Sequence, residues 1–140
     1  MSHRRRVSLN EQLNRLDRHA DAVLVKAVQQ LGPNEAQDML LWPGILVMGC
    51  MKTGPVQNGV FYEVEAVDDE SVSLVDGPTL THFMAARNLR LTYALTYASC
   101  QGLTLDGRVR LWDTQSPNFT KRHLFVAMSR ATSADNLEIA

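Results

Sequence analysis

The stretch HLFVAMSRAT, residues 123–132, places six residues suited to a buried helix, His123 to Met128, directly ahead of Ser129 and Arg130. An arginine at the end of a packed helix is firmly held. Its guanidinium keeps its proton and presents a planar fork that matches phosphate oxygens. A rigid mount with reach into a phosphate site is what an arginine finger needs to stabilise charge on a transferring phosphoryl group. The structural alternative is a cation capping a helix C-terminus, favoured by the helix dipole. A second stretch, YALTYASCQGLTL (93–105), brings Gln101 and Gly102 after an apolar run. Gly102 permits a turn or a close backbone approach. Thr96, Ser99 and Thr104 offer hydroxyls, and loop amides nearby suit a phosphate. Polar residues beside a glycine also simply end helices, so both readings stay open here.

These residues need elements to position them. Thr120 is placed to cap a helix over 121–130, and RVRLWD (108–113) alternates as a strand with Val109, Leu111 and Asp113 on one side. A last short strand is expected over 136–139, and TYALTYASC (92–100) has the length of a helix. Upstream, SLNEQLNRLDRH (8–19) predicts a helix capped by Ser8, with Glu11 completing a capping box and Leu9, Leu13 and Leu16 forming an apolar stripe. VLVKA (23–27) fits a strand or a helical turn. GILVMGC (44–50), GVFYEVEAV (59–67), SVSLV (71–75) and TLTHFM (79–84) read as short strands punctuated by Gly-Pro, Asn-Gly and Asp-rich turns, which suggests a small, bent sheet or barrel. The whole predicts an α/β body built on a parallel sheet, interrupted by a small β module.

Composition narrows the classes. The chain has 140 residues, 45% of them hydrophobic, and a net charge of −1. It is long enough for one domain with a core of its own. No global field draws it onto a polyanion, so any such contact must be local. No apolar run reaches membrane-spanning length. The basic start, with Arg4 to Arg6, lacks the apolar core of a secretory signal; it reads as a solvated face or a weak nuclear signal. Cys50 and Cys100 lack metal or redox spacing and are expected to be reduced thiols in an intracellular protein. His82 and His123 have no partners at metal spacing, so no metal site is expected. Trp42 and Trp112 read as core or module-interface residues more readily than as base-stacking platforms. Glu63 and Glu65 read as a solvated strand face.

Taken together, YALTYASCQGLTL, RVRLWD, LFVAMSRAT and NLEIA resemble the C-terminal end of a superfamily 1 DNA helicase of the RecD-like, 5′-to-3′ type, which includes the mitochondrial and nuclear maintenance helicases and their viral relatives. Tyr93, Ala94, Leu95, Thr96, Gln101 and Gly102 match that family's motif V. Ala98, Ser99 and Cys100 stand where the family has His, Lys and Ser. Phe125, Val126, Ala127, Met128, Ser129, Arg130 and Ala131 match motif VI in full, and the γ-phosphate-sensing arginine falls on Arg130. WPGILVMGC and VQNGVFYEVEAV resemble the stretches that open an inserted SH3-like β-barrel. SHRRRVSLNEQLN resembles the start of the second RecA-like domain, with Asn10 at the family's asparagine. The match is carried chiefly by residues 93–140.

The resemblance implies a partial RecA-like parallel sheet with an inserted SH3-like module. Residues 1–40 would begin RecA-like domain 2, 41–92 would form the β module, and 93–140 would complete the domain. Arg130 would be catalytic, with Gln101, Gly102 and Arg130 facing ATP, and His3, Thr96, Ser99 and Thr104, with Arg4 to Arg6 nearby, facing single-stranded DNA. No Gly-x-x-x-x-Gly-Lys-(Ser/Thr) loop occurs in the sequence. ATP and Mg would therefore be held mainly by a first RecA-like domain, supplied in cis or in trans, and the chain alone would not turn over ATP. DNA binding would be weak, since Ser99 replaces the family's lysine. A nuclear or viral replication site would suit such a protein. The alternative is a non-catalytic, helicase-derived module that binds a protein partner or single-stranded DNA.

Overall fold

The computed structural model describes residues 3–29, 35–97, 99–100, 103–105 and 107–140. The fold is mixed α/β, and its contacts divide it into two compact units: Val7–Ala94, and Met1–Arg6 with Leu95–Ala140.

In the Val7–Ala94 unit, strands β1 (Val23–Val25) and β2 (Met39–Leu41) pair antiparallel. A five-stranded antiparallel sheet follows, built from β3 (Leu46–Gly49), β4 (Phe61–Val67), β5 (Ser71–Leu74), β6 (Thr79–Thr81) and β7 (Leu89–Leu91), in the order β6-β5-β4-β3-β7. Among the described residues the sheet is open, with β6 and β7 at its edges, so of the bent sheet or barrel expected here the open sheet is found and no barrel closes. A register shift between Val64 and Ala66 bends β4 against β5. The inward residues Val47, Val64, Val72, Leu74, Leu80, Leu89 and Leu91 join Val25, Met39, Leu41 and Trp42 in one apolar core. Gly49 is required where it stands, because a Cβ there would lie 2.1 Å from the Gln57 carbonyl oxygen.

Helix α1 (His3–Asp17) begins five residues before the expected Ser8 cap, which therefore lies inside the helix and is exposed. Its leucine stripe does not face the core. Leu13 and Leu16 are exposed, and the buried positions are Arg6, Asn10 and Asn14, spaced four apart. The reason is backbone pairing. Asn10 accepts from the Ala94 N–H (2.8 Å) and donates to the Ala94 carbonyl (3.0 Å). Asn14 does the same with Leu40, at 2.8 and 2.9 Å. Buried amides with both ends satisfied are retained at little cost, and they set which face turns inward.

Two further expectations change. TLTHFM is not one strand: β6 ends at Thr81, whose hydroxyl accepts from the Met84 N–H and caps α2 (His82–Asn88). The Arg90 guanidinium, fully buried, donates to the carbonyls of Ala86 and Leu89 at the far end of α2. TYALTYASC is not a helix over its described residues. The Thr92 hydroxyl donates to the Leu46 carbonyl, and Ala94 spends both backbone groups on Asn10. An i to i+4 ladder cannot run through groups already used in this way.

The second unit holds the parallel element. β8 (Val109–Leu111) and β9 (Leu137–Ile139) pair in parallel, Val109 opposite Leu137, with an isolated parallel bridge between Leu105 and Ala131. The crossover between them is α3 (Lys121–Arg130), followed by a 3-10 turn at Ala134–Asn136. Among the described residues the expected parallel sheet is thus limited to this small piece. Thr120 caps α3 as its sequence signals, with its hydroxyl accepting from the His123 N–H and His123 Nδ1 accepting from the Thr120 N–H. The expectation of a buried α3 fails: Ala127 alone in the helix is fully buried, while Phe125 is 72% and Met128 55% exposed. No described helix is long and apolar enough to cross a membrane.

Candidate functional site

The sequence concentrates its candidate chemistry in the unit formed by residues 1–6 and 95–140. Arg130 is the last residue of α3, so a capped ten-residue helix fixes its Cα. Its backbone carbonyl accepts from the Leu105 N–H at 2.7 Å, tying the helix end to the last residue of the 93–105 stretch. The guanidinium is half-buried. Nε donates to the Ser129 hydroxyl (3.3 Å) and Nη1 to the Leu103 carbonyl (3.4 Å). Ser129 is itself anchored, donating to the Val126 carbonyl at 2.9 Å. Both contacts of the guanidinium are long and go to neutral acceptors, and no carboxylate among the described residues pairs with it. Such a cation retains donors and charge for an anion.

Thr96 is buried. Its hydroxyl shares a 2.8 Å hydrogen bond with the Ser99 hydroxyl and accepts from the Ser99 N–H. The Cys100 N–H donates to the carbonyls of Thr96 and Tyr97, closing a single turn. Thr96 and Ser99 are therefore brought together, with the Thr96 hydroxyl spent on the turn. Thr104 is exposed between Leu103 and Leu105, the two residues that touch Arg130. His3 is exposed at the first turn of α1. Gln101 and Gly102, expected to face ATP, and Ala98 lie outside the described residues.

Electrostatics keep the neighbouring groups neutral. Burial pushes the Cys100 thiol up from its ordinary range, partly opposed by the Arg130 cation. Burial, then Asp113 and Cys100, also push the Tyr97 phenol up. Neither is set up as a nucleophile or base. Tyr97 stacks on His123 with ring centroids 5.2 Å apart, meets the edge of Phe119, and donates to the Trp112 carbonyl at 3.1 Å. His123 thus serves as a cap and packing residue, and His82 is bonded through Nε2 to the Asp68 carbonyl. Among the described residues no cluster of His, Cys, Asp or Glu could hold a metal, and Cys50 and Cys100 are free thiols.

Sequence reasoning passed over a second group in this unit. Arg108 and Arg110 both reach Glu138, at 3.7 and 3.1 Å. Arg5 pairs with Asp113, and its guanidinium lies 5.1 Å from the centre of the Trp112 ring; that of Arg110 lies 5.9 Å away. Asp113 adopts a left-handed conformation, φ 59°, where β8 gives way to the following loop. The signal that points to this group is alternation: Arg108, Arg110 and Trp112 occupy every second position.

No protein-family model and no curated relative matches the chain. Solved structures do. One, of two coordinating Pif1 helicases that unwind forked double-stranded DNA, aligns over 92% of this chain and 36% of its own at 21% identity, with a TM-score of 0.60. Bacteroides Pif1 with ADP-AlF3 and single-stranded DNA aligns over 99% and 38% at 20% identity, TM-score 0.58. Candida albicans Pif1 aligns over 99% and 44% at 20% identity, TM-score 0.57. The chain spans less than half the length of these proteins, and at this identity the likeness establishes the fold: a mixed α/β fold similar to part of the Pif1 DNA helicases.

Proposed function

We propose that the chain is the second RecA-like part of an ATP-dependent DNA helicase, carrying an SH3-like module and supplying an arginine finger and part of the single-stranded DNA surface. The observation that carries this reading is Arg130: a half-buried guanidinium on a capped helix, bonded among the described residues only to neutral oxygens. Its likeness in fold to a protein solved with ADP-AlF3 and single-stranded DNA supports it. The phosphate-binding loop, ATP and Mg belong, in this reading, to a first RecA-like domain in cis or in trans. Arg130 acts by stabilising charge on the transferring phosphoryl group. It cannot serve as acid or base, because it does not lose its proton.

The test is reconstitution with a first domain that bears a phosphate-binding loop. Arg130→Ala is expected to leave assembly intact and lower ATP turnover by about 10³ to 10⁵, the range of arginine fingers. A variant within a few-fold of wild type returns Arg130 to a helix-capping role. A second reading, a non-catalytic module docking a protein, draws support from the exposed Phe125 and Met128 on α3. It gains if no first-domain partner restores hydrolysis.

A further inference from the structure

The two units carry opposite charge. Residues 1–6 and 95–140 contain eight Arg and Lys against four Asp and Glu, a net of +4; residues 7–94 contain six against eleven, a net of −5. The near-neutral total conceals a basic unit, and its arginines are arranged in order. In β8 the residues alternate between faces. Val109 and Leu111 turn toward the interior, while the Arg108 and Arg110 side chains are 86% and 56% exposed. Arg108 and Trp112 flank the strand two residues to either side of Arg110, whose guanidinium lies 5.9 Å from the centre of the Trp112 ring. Glu138, opposite Arg110 in the ladder, is shared by both arginines and neutralises only one of them. The left-handed turn at Asp113 ends the row, and Asp113 holds Arg5 beside the ring.

We propose that Arg108, Arg110 and Trp112 form a stacking subsite for single-stranded nucleic acid, with the indole accepting a base and the two arginines the adjoining phosphates. The subsite extends the single-strand surface of the function proposed above and rests on that reading. Its chemistry requires both components. Arginines alone would serve any polyanion, including an acidic peptide. A half-buried indole with two guanidinium groups within about 6 Å of its ring centre adds aromatic surface that a base can use and a carboxylate cannot. Trp42 does not compete for this role, since it is buried and stacked on His19 at 4.7 Å.

The experiment uses the full 140-residue chain with oligothymidylate at low salt. Tryptophan emission should fall saturably as the strand is added. Trp112→Ala should abolish that change and weaken binding about fivefold or more, in line with the loss of one stacked base. Trp112→Phe keeps a flat ring, guards against a folding defect in the alanine variant, and should retain most of the affinity. Polyglutamate should neither quench the emission nor displace the strand efficiently. Binding without a change in emission, with Trp112→Ala and Trp112→Phe equal to wild type, overturns the subsite while leaving DNA binding elsewhere on the chain intact. Displacement by polyglutamate as effective as by oligothymidylate overturns it in favour of an acidic protein partner. Absence of any binding overturns both the subsite and the single-strand surface. A quenched, Trp112-dependent complex in a protein whose reconstituted ATPase ignores Arg130 removes the arginine finger alone.

Discussion

The unit Val7–Ala94 and the unit built from residues 1–6 and 95–140 solve different problems. The first buries a continuous set of large apolar side chains, from Val25 to Leu91, around an antiparallel sheet. In the second, Leu111 and Ala127 are the buried apolar residues among those described, while Phe125, Met128 and Ile139 are largely exposed. Burial of apolar area is the main favourable term in folding, at about 25 cal/mol per Å². The acidic unit therefore has the means to stand on its own core. The basic unit has little core among the described residues and a concentrated field, with its cations on Arg108, Arg110, Lys121, Arg122, Arg130 and the first turn of α1. The contrast teaches that the buried core and the concentrated positive charge are lodged in different parts of one short chain.

The contrast can be broken most forcefully in the acidic unit. Asn14→Ala leaves the Leu40 N–H and carbonyl without their side-chain partner, and each orphaned buried group costs about 1 to 3 kcal/mol. A loss of about 2 to 4 kcal/mol is expected by urea titration, with oligonucleotide affinity unchanged wherever the variant is folded. A comparable loss of affinity in folded protein would show that the two properties are not separate. The next effect lies in the basic unit. Reversing Arg108 and Arg110 together to Glu takes that unit from +4 to neutral. Single-strand affinity at low salt should fall about 10- to 100-fold, and the salt dependence should flatten by about 0.7 for each phosphate left without its cation. Lys52→Glu, in the acidic unit, should change neither. Equal effects from the two changes would mean that net charge alone governs binding.

The smallest expected effect sharpens the picture of Arg130. Its cation opposes the rise that burial imposes on the Cys100 thiol. Removing it in Arg130→Ala should raise the thiol further, reduce the thiolate fraction at about pH 8, and slow alkylation of Cys100 by about two- to fivefold. Cys50, which is buried, serves as the internal reference. An unchanged rate would mean that the guanidinium field does not reach the thiol.

What was legible in the sequence was local. Thr120 and the ten residues after it specify a capped helix because an N-cap bond spans only three residues. The alternation in VFYEVEAV specified β4 for the same reason. The inward face of α1 was not legible, because Asn10 and Asn14 look like solvent-facing residues until Ala94 and Leu40 are brought to them from 84 and 26 residues away. The run at 92–97 misled because apolar spacing does not reveal that its backbone groups are already engaged. Of the candidate site, the place of Arg130 at the end of a capped helix was legible. The row of Arg108, Arg110 and Trp112 was present as alternation, but its charge context required grouping the first six residues with the last forty-six.

The two asparagines of α1 have one more consequence. Each amide imitates a stretch of backbone, so the helix is keyed to its neighbours like a strand in a ladder and not greased like a leucine surface. A helix packed on leucines can roll or slip by exchanging rotamers, each small step costing little. Here even a one-residue roll, about 100°, would forfeit four hydrogen bonds together. The orientation of α1 about its own axis in this unit is therefore all-or-none, which keeps Leu13 and Leu16 turned outward by design of the opposite face.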